Sequence, residues 1–403
     1  MNIDRILDIE NKYQLYTDEI EGAAYWMFLR FGILQYQIIK DIVGNKTSIA
    51  GGGRKKSVIS KAANRIYASL LNLKTRGAHS DIAFLPHSRR ILTSGKFREI
   101  YTDGFAEEYK AVSIIDSNDF EHIPIASPCP VFYYDFPYGM KNFIRKRLTY
   151  RTIRKKRQRI YNEAVQHLSQ PLKDIADAYG ITIDCESIYE QTAGFITYYQ
   201  AEHEHCTELL RKINPKVLVI VVHYGGLPMF MCEAARKLGI KVIELQHGTM
   251  HTEHIGYHYR TDEKLIQLPD FIFTFSDYWH DFIEMPCSST KLIAAGFPYY
   301  EEQKALLKDT MAKAKSQSLK FILFISQGTV GNELSKFAVE LNRKLDPKRF
   351  RIIYKLHSGE RNTWREQYRS LAAAHDEGRL EVIYNTENSI YQYFALSSVQ
   401  VGV

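Results

Sequence analysis

The stretch Lys241-Val-Ile-Glu-Leu-Gln-His-Gly-Thr-Met250 decides how the rest of the chain is interpreted. Its first half, Lys241 to Leu245, predicts a buried strand that ends at Gln246-His247-Gly248. A second apolar run at 217–223 and a helical pattern at 227–238 precede it. Strand, helix and strand in this order predict a βαβ unit, and continuous runs of β-branched residues are typical of a parallel sheet.

Both strands of this unit are followed by histidine. Because ligands of open α/β sheets bind at the carboxyl ends of the strands, we expect a ligand site there. A histidine in such a loop can act as a general base or contact a phosphate, since its pKa is near neutrality. The candidate base is His247, and the further candidate residues of this site are Gln246, Gly248, Thr249, His254 and His223.

Two other interpretations of these histidines stay open. His247, His251 and His254 are potential metal ligands, but they have loop spacing and no accompanying carboxylates, so no metal is predicted. Alternatively, the histidines are buried or surface residues without a role in chemistry.

Composition places the chain among ordinary globular proteins. The 403 residues include 53 basic and 46 acidic side chains, a formal net charge of +7. This mild excess does not by itself indicate nucleic acid, and none is predicted as a partner. The five cysteines are scattered without CxxC spacing, which favours a reducing cytoplasm. No signal peptide and no membrane span are expected.

The amino-terminal part mixes helical and strand-like patterns. One helix is expected over 20–43, and a linker over 46–56 that contains three consecutive glycines. Strands are expected at 82–85, 111–115 and 130–134, and a helical region at 161–210. His87-Ser88-Arg89-Arg90 follows the first strand and is either a plain polar loop or a ligand-facing one.

A strongly basic stretch follows, from 143 to 159. A solvated helix face and contact with an anionic membrane surface are both consistent with it, because Lys and Arg each gain about 1 kcal/mol near anionic lipid. The membrane interpretation names Arg145, Lys146, Arg147, Arg154, Lys155, Lys156 and Arg157.

A second α/β pattern begins at Leu319. Strands are expected at 320–325, 350–356, 381–384 and 399–403, with helices at 332–345, 364–374 and 390–396. The turn after its first strand offers backbone N–H groups to an anion, and the end of the next strand adds two donors. The candidate phosphate-binding residues are Gln327, Gly328, Thr329, Lys355 and His357, although an ordinary β–α turn would have the same pattern.

Two Rossmann-like halves, with Gln-His-Gly after a strand of the first and Lys-x-His after a strand of the second, resemble the GT-B glycosyltransferases. The pattern is similar to that of the bacterial capsule, lipopolysaccharide and teichoic-acid transferases, including the polysialyltransferase-like and glycerophosphotransferase-like groups. The resemblance covers about residues 210–403. It implies that the site around His247 is the acceptor side, with His247 as the base or phosphate contact. It also implies that Lys355 and His357 hold the donor phosphates and that neither metal nor cofactor is needed.

The chain departs from that family pattern at two places. Ser358 stands where the family's phosphate motif has proline. The family also continues beyond a strand like 399–403 with a Ser/Thr-rich loop, a helix and more sheet. We therefore expect the second sheet to be incomplete and its donor pocket to be open on one side.

The sequence thus predicts an α/β protein with two parallel-sheet domains. The chain is expected to divide into a helical lead and linker at 1–60, an acceptor domain at 61–299, a linker at 300–318 and a partial donor-nucleotide domain at 319–403. The expected function is transfer of a sugar or phospho-polyol from a nucleotide-activated donor to a bacterial surface polysaccharide or glycolipid, at the inner face of the cytoplasmic membrane. The alternatives are a non-catalytic GT-B-like binding protein and a nucleotide-sugar epimerase.

Overall fold

The computed structural model describes residues 3–31, 79–87, 90–93, 96–115, 127–134, 150–328, 330–384 and 389–402. The described residues form two compact units, of which the first extends to Pro298 and the second begins at Tyr299. Several predictions lie outside the described residues: the linker at 46–56, and the roles of Ser88, Arg89, Arg145, Lys146, Arg147 and Thr329.

The first unit is built on a parallel sheet of seven strands. Its strands and a separate hairpin are β1 Ile82–Leu85, β2 Arg90–Thr93, β3 Lys96–Glu99, β4 Ala111–Ile115, β5 Val131–Tyr133, β6 Val217–Ile220, β7 Lys241–Leu245, β8 Phe271–Thr274 and β9 Lys291–Ala294. The sheet order is β5-β4-β1-β6-β7-β8-β9, and β2 pairs with β3 in the antiparallel hairpin. The organising βαβ unit therefore lies at the centre of the sheet.

Helices surround this sheet. They are α1 Asp4–Lys12, α2 Trp26–Leu29, α3 Asp103–Glu108, α4 Tyr150–Tyr179, α5 Cys185–Ile213 and α6 Gly226–Lys237. The Asp184 side chain caps α5 by accepting from the Ser187 N–H at 3.1 Å. Gly239 ends the α6 segment with a φ of 73°, which a residue with a side chain rarely adopts.

The prediction of one helix from Ile20 onward is wrong for its described part. Ile20 and Ala23 form an isolated bridge, and Glu21 and Gly22 take positive φ values of 50° and 73°. A left-handed turn cannot continue a right-handed helix, so α2 begins only at Trp26. The apolar periodicity correctly identified buried side chains, but not the turn that divides them.

The second unit has a parallel sheet of four strands, β10 Lys320–Ile325, β11 Phe350–Lys355, β12 Glu381–Ile383 and β13 Ser397–Val401. The order is β12-β11-β10-β13. Its helices are α7 Pro298–Leu306, α8 Lys308–Ser316, α9 Gly331–Lys344, α10 Trp364–Gln367, α11 Arg369–Asp376 and α12 Ile390–Leu396. The predicted fold class, α/β with two parallel sheets, is confirmed.

Three details of this unit differ from the expected pattern. The single helix expected at 364–374 is divided between α10 and α11 at Tyr368, whose φ of −116° and ψ of 58° are not helical. The last strand starts two residues earlier than expected and lies at the sheet edge, with Val399 52% exposed. Among the described residues, no helix is both long and apolar enough to cross a bilayer.

Candidate functional site

The loop after β7 is fastened to the sheet by Gln246. This side chain is 1% exposed; its amide oxygen accepts from the Phe275 N–H at 2.7 Å, and its amide nitrogen donates to the Gly248 carbonyl at 2.7 Å. Because both ends of the amide are engaged within the protein, Gln246 shapes the loop that presents His247. Gly248 is partly buried and Thr249 is exposed.

His247 lies at the carboxyl edge of the sheet, where aromatic side chains contact it. Its Nε2 is 3.3 Å from the Tyr224 hydroxyl, and its backbone carbonyl accepts from the Tyr101 hydroxyl at 2.7 Å. The His87 ring stacks on the His247 ring with centroids 5.6 Å apart. The structure thereby joins the loop after β1, which was a candidate ligand-facing loop, to the loop after β7.

His254 shares the Tyr224 hydroxyl with His247. Its Nε2 is 3.2 Å from that oxygen, and its Nδ1 accepts from the Gly256 N–H at 3.2 Å. Burial and the neighbouring His251 and His247 lower the pKa of His254 to about 3. The ring is therefore neutral at physiological pH.

His223, a predicted acceptor-side residue, lies in a fully buried network beneath this loop. Its Nδ1 contacts the Glu244 carboxylate and its Nε2 is 3.1 Å from the Tyr259 hydroxyl. Tyr257 donates to the second Glu244 oxygen at 2.8 Å, and burial raises the pKa of that phenol well above its usual value. His223, Glu244 and Tyr257 have no exposed surface, so they support the loop rather than meet a ligand.

An ion pair from the amino-terminal lead anchors the same loop. The Arg30 Nε donates to Glu10 at 2.6 Å, and both side chains are buried. The Arg30 Nη atoms donate to the backbone carbonyls of Ile255 and His258, and the guanidinium lies 4.2 Å from the centre of the Tyr259 ring. This pair was not predicted from the sequence, where its only signal is a single arginine within an apolar run.

A cavity of about 430 Å³ lies beside this loop, within the size range of small-molecule sites. It mixes carboxylates with apolar side chains and is lined by Ile3, Asp4, Leu7, Thr252, Glu253, His258, Asp281, Phe282, Ile283 and Glu284. Within the described part of the chain, no group of three His, Cys, Asp or Glu side chains is arranged to hold a metal ion.

The second unit brings most of its predicted phosphate-binding residues to one sheet edge. Ile325 of β10 pairs with Lys355 of β11, and the Ser326 N–H donates to the Lys355 carbonyl at 2.9 Å. Gln327 and Gly328 follow and precede α9, while His357 follows β11. Gln327, Gly328 and His357 are exposed, whereas Lys355 is 9% exposed; its burial, together with the nearby Arg361, lowers its pKa.

Glu360, which was not predicted as a site residue, holds both loops of this edge in place. It is 4% exposed and accepts from the His357 N–H at 2.7 Å, the Ser326 hydroxyl at 2.8 Å and the Tyr368 hydroxyl at 2.6 Å. The His357 Nδ1 accepts from the Gly359 N–H at 3.2 Å. The neutral His357 ring therefore carries its proton on Nε2, the atom left to meet a ligand.

The described part of the basic stretch belongs to α4. Lys156 pairs with Glu21 at 2.9 Å, and Arg157 pairs with Glu190 at 2.6 Å. Arg154 and Lys155 are exposed. The positive charge that this helix offers to a surface is therefore smaller than the sequence alone indicated.

No family model matches the chain, and no curated protein matches it. Among solved structures, UDP-GlcNAc 2-epimerase from Methanocaldococcus jannaschii is similar at 13% identity and a TM-score of 0.32, covering 51% of this chain and 61% of that chain. UDP-GlcNAc 2-epimerase from Neisseria meningitidis bound to UDP-GlcNAc is similar at 15% identity and a TM-score of 0.34, with 59% and 67% covered. The match spans less than two thirds of the first structure. The predicted capsule or teichoic-acid transferase family stays a prediction.

Proposed function

We propose that the chain transfers a sugar, or a phospho-polyol, from a nucleotide-activated donor to a saccharide or glycolipid acceptor, with His247 as the catalytic base. The observation that carries the proposal is the group formed by His247, Tyr224 and His254 at the carboxyl edge of the seven-stranded sheet. A general base must be held in place, and the Tyr224 hydroxyl, which also contacts the neutral His254 ring, lies against the His247 ring.

The proposed reaction is a single displacement. His247 takes the proton from an acceptor hydroxyl, whose oxygen forms a bond to the anomeric carbon of the donor sugar, or to phosphorus in a phospho-polyol donor. The bond between that atom and the nucleotide phosphate oxygen breaks, and the phosphate leaves with the electron pair. His247 ends as the imidazolium.

The second unit supports a phosphate-bearing donor. Gln327 and Gly328 lie just before α9, a helix of 14 residues whose amino end carries partial positive charge. Lys355 and the Nε2–H of His357 belong to the neighbouring strand end. Such donors stabilise a departing phosphate without a metal ion, and the proposed reaction uses no cofactor.

The cavity lined by Thr252, Glu253 and His258, farther along the same loop than His247, offers partners for a saccharide, although His247 itself does not line it. Glu253, Asp281 and Glu284 offer carboxylate acceptors for sugar hydroxyls, and Phe282 offers an apolar face. Hydroxyl-rich rings with apolar faces fit a lining of this mixed character.

The direct test is turnover with a panel of UDP-, GDP-, CDP- and CMP-activated donors, chosen by thermal shift, and oligosaccharide acceptors. We expect His247→Ala to lower the transfer rate by about 10²–10⁴, the usual contribution of a general base. His251→Ala is the matched control, because His251 is an exposed histidine of the same loop. Full activity in a folded His247→Ala protein would refute the assignment.

The same assay separates the two alternatives. An epimerase would convert the nucleotide sugar without any acceptor, and the product would keep its nucleotide. A non-catalytic binding protein would bind donor or saccharide and give no product with any pair. Only acceptor-dependent release of the nucleotide supports transfer.

The proposal includes a peripheral contact with an anionic membrane surface, now supported mainly by the exposed Arg154 and Lys155. We expect Arg154→Glu with Lys155→Glu to reduce co-sedimentation with phosphatidylserine vesicles at low salt. Arg343→Glu with Lys344→Glu, on exposed positions of α9, is the control. Equal vesicle binding by both double variants would mean that Arg154 and Lys155 lie on a solvated helix face and do not contact the membrane.

A further inference from the structure

His258 is a buried histidine that lines the cavity of about 430 Å³. The side chain is 6% exposed, and its Nδ1 donates to the His254 carbonyl at 3.0 Å, because a carbonyl oxygen can only accept. Burial lowers the pKa of His258, so the ring is neutral at physiological pH. Its Nε2 therefore carries a lone pair, and among the described residues this nitrogen has no hydrogen-bond partner.

Two carboxylates without ion pairs line the same cavity. Asp281 belongs to a short 3₁₀ helix, Asp277–Phe282, which follows β8. Glu284 lies beside His258 in an isolated parallel bridge, and its charge partly opposes the lowering of the His258 pKa. Within the described ranges of the chain, neither Asp281 nor Glu284 makes an ion pair, so both carboxylates can meet a ligand.

Backbone hydrogen bonds hold these groups in place. The Tyr259 N–H donates to the Glu284 carbonyl at 2.8 Å, and the Glu284 N–H donates to the Tyr257 carbonyl at 2.9 Å. The Arg30 guanidinium donates to the His258 carbonyl, and its own charge is paired with Glu10. A ligand would therefore meet groups that are already positioned, which lowers the entropic cost of binding.

The described lining of the cavity is rich in hydrogen-bond acceptors and in negative charge. Four of its side chains are carboxylates, and none is lysine or arginine. The Phe282 ring adds an aromatic face, which attracts cations. An ammonium group fits this lining because it has a positive charge and three donors, whereas a phosphate or a carboxylate would be repelled.

We propose that this cavity binds a protonated amine on the saccharide acceptor, with Asp281, Glu284 and the Nε2 of His258 as its contacts. This inference rests on the proposed function for the saccharide, and it names the acceptor class as one that contains an amino sugar with a free amine. Because His247 does not line the cavity, the amine lies on a part of the acceptor other than the hydroxyl that reacts.

The net charge of the protein distinguishes such a site from general attraction. The chain has a formal net charge of +7, which repels cations from the protein as a whole. A preference for a cationic saccharide over a neutral one of the same shape would therefore come from a local site.

The test is calorimetric titration of the full chain, at pH 7 and low salt, with cellotriose and with the glucosamine trimer of the same linkage. The two probes differ only in carrying a hydroxyl or an amine at the second carbon of each ring. We expect the amine-bearing trimer to bind at least about tenfold more tightly, as hydrogen bonds to charged groups allow. Added salt should reduce this preference by screening the charges.

Asp281→Asn with Glu284→Gln should remove most of the preference while keeping the size of both side chains. Both positions are exposed, so we expect the fold to survive. Asp277→Asn with Glu263→Gln is the matched control, because these are exposed carboxylates of the same unit that do not line the cavity. Equal affinity for the two trimers, no binding of either, or a preference that persists in Asp281→Asn with Glu284→Gln would overturn the proposal.

Turnover measurements separate this inference from the proposed function. Amine-selective binding without transfer from any donor would reject the proposed function and leave the amine site in place. Transfer to neutral acceptors, together with equal binding of the two trimers, would do the reverse.

Discussion

The carboxyl edges of the two sheets are fastened in different ways. In the first unit the loop holding His247 rests on buried imidazole and phenol groups and on the Glu10–Arg30 pair. In the second unit one buried carboxylate, Glu360, holds two loops whose ends stay exposed. The first arrangement is a buried network of side chains, whereas the second leaves Gln327, Gly328 and His357 exposed.

The two edges differ because their side chains differ in exposure to water. In the first unit burial keeps His254 neutral, so its contacts with the Tyr224 hydroxyl and the Gly256 N–H are hydrogen bonds between uncharged groups. In the second unit the exposed His357 can meet a solvated phosphate while its backbone stays fixed by Glu360. The two edges therefore differ in which part of the loop is buried, and the proposed roles of a base in the first unit and a phosphate site in the second follow that difference.

The largest expected effect comes from breaking the buried pair. Arg30→Met leaves the Glu10 carboxylate buried without its cation, which should lower the free energy of unfolding by about 3–5 kcal/mol. Chemical denaturation would measure this loss. Arg260→Met is the control, because Arg260 pairs with Asp4 and Asp8 at partly exposed positions and should cost at most about 1 kcal/mol. Equal losses of stability in the two variants would mean that burial of the Glu10–Arg30 pair does not increase its contribution to the free energy of unfolding.

A smaller loss of stability is expected when a methyl group is added at Gly331 in the second unit. A Cβ at Gly331 would lie 2.2 Å from the Tyr368 hydroxyl oxygen and 2.3 Å from Glu360 Oε1. Gly331→Ala should therefore displace the carboxylate and destabilise the unit by about 1–3 kcal/mol, as overpacking does. Hydrogen exchange at 326–328 and 357–360 would report the change. Gly328→Ala, which meets nothing within 4 Å, should leave exchange unaltered.

The pH dependence of the first unit should have two opposed slopes, which partly cancel. His254 has a pKa of about 3 in the fold against an ordinary 6.5, so its contribution is complete above pH 6.5 and is lost as pH falls towards 3. Burial raises the pKa of Glu99 from 4.5 to about 7, so its contribution is complete below pH 4.5 and is lost as pH rises through 7.

Denaturation of the matching variants between pH 4 and pH 8 separates these slopes. His254→Asn should remove the loss of stability on acidification, and Glu99→Gln should remove the loss on raising the pH. If both variants keep the wild-type profile, neither side chain governs the pH response, and the neutral character of the first unit's loop has another origin.

The local sequence predicted much of the fold, but it did not predict most of the side-chain contacts that hold the two loops in place. Strands at 82–85, 241–245 and 320–325 were predicted at their observed bounds, because continuous apolar runs between turn residues specify buried strands. The hairpin at 90–99 was missed, since its two strands contain only three apolar residues, Ile91, Leu92 and Phe97, and form no continuous apolar run. Arg30 gains its role from the carbonyls of Ile255 and His258, and Glu360 from Ser326 as well as from its near neighbours His357 and Tyr368. A single sequence does not reveal the distant partners.

The smallest expected effect on stability belongs to His357. The side chain is exposed and accepts a single backbone N–H, so His357→Ala should change the free energy of unfolding by no more than about 0.5 kcal/mol. Its loss from a phosphate site should nevertheless weaken nucleotide binding by about 1.5–3 kcal/mol, tenfold or more in Kd. Calorimetric titration with UDP, GDP, CDP and CMP would measure it. His375→Ala is the matched control, because His375 also accepts a backbone N–H but follows no strand end. An unchanged Kd in His357→Ala would mean that the exposed edge of the second sheet does not hold the phosphate, and the contrast between the two edges would lose its functional meaning.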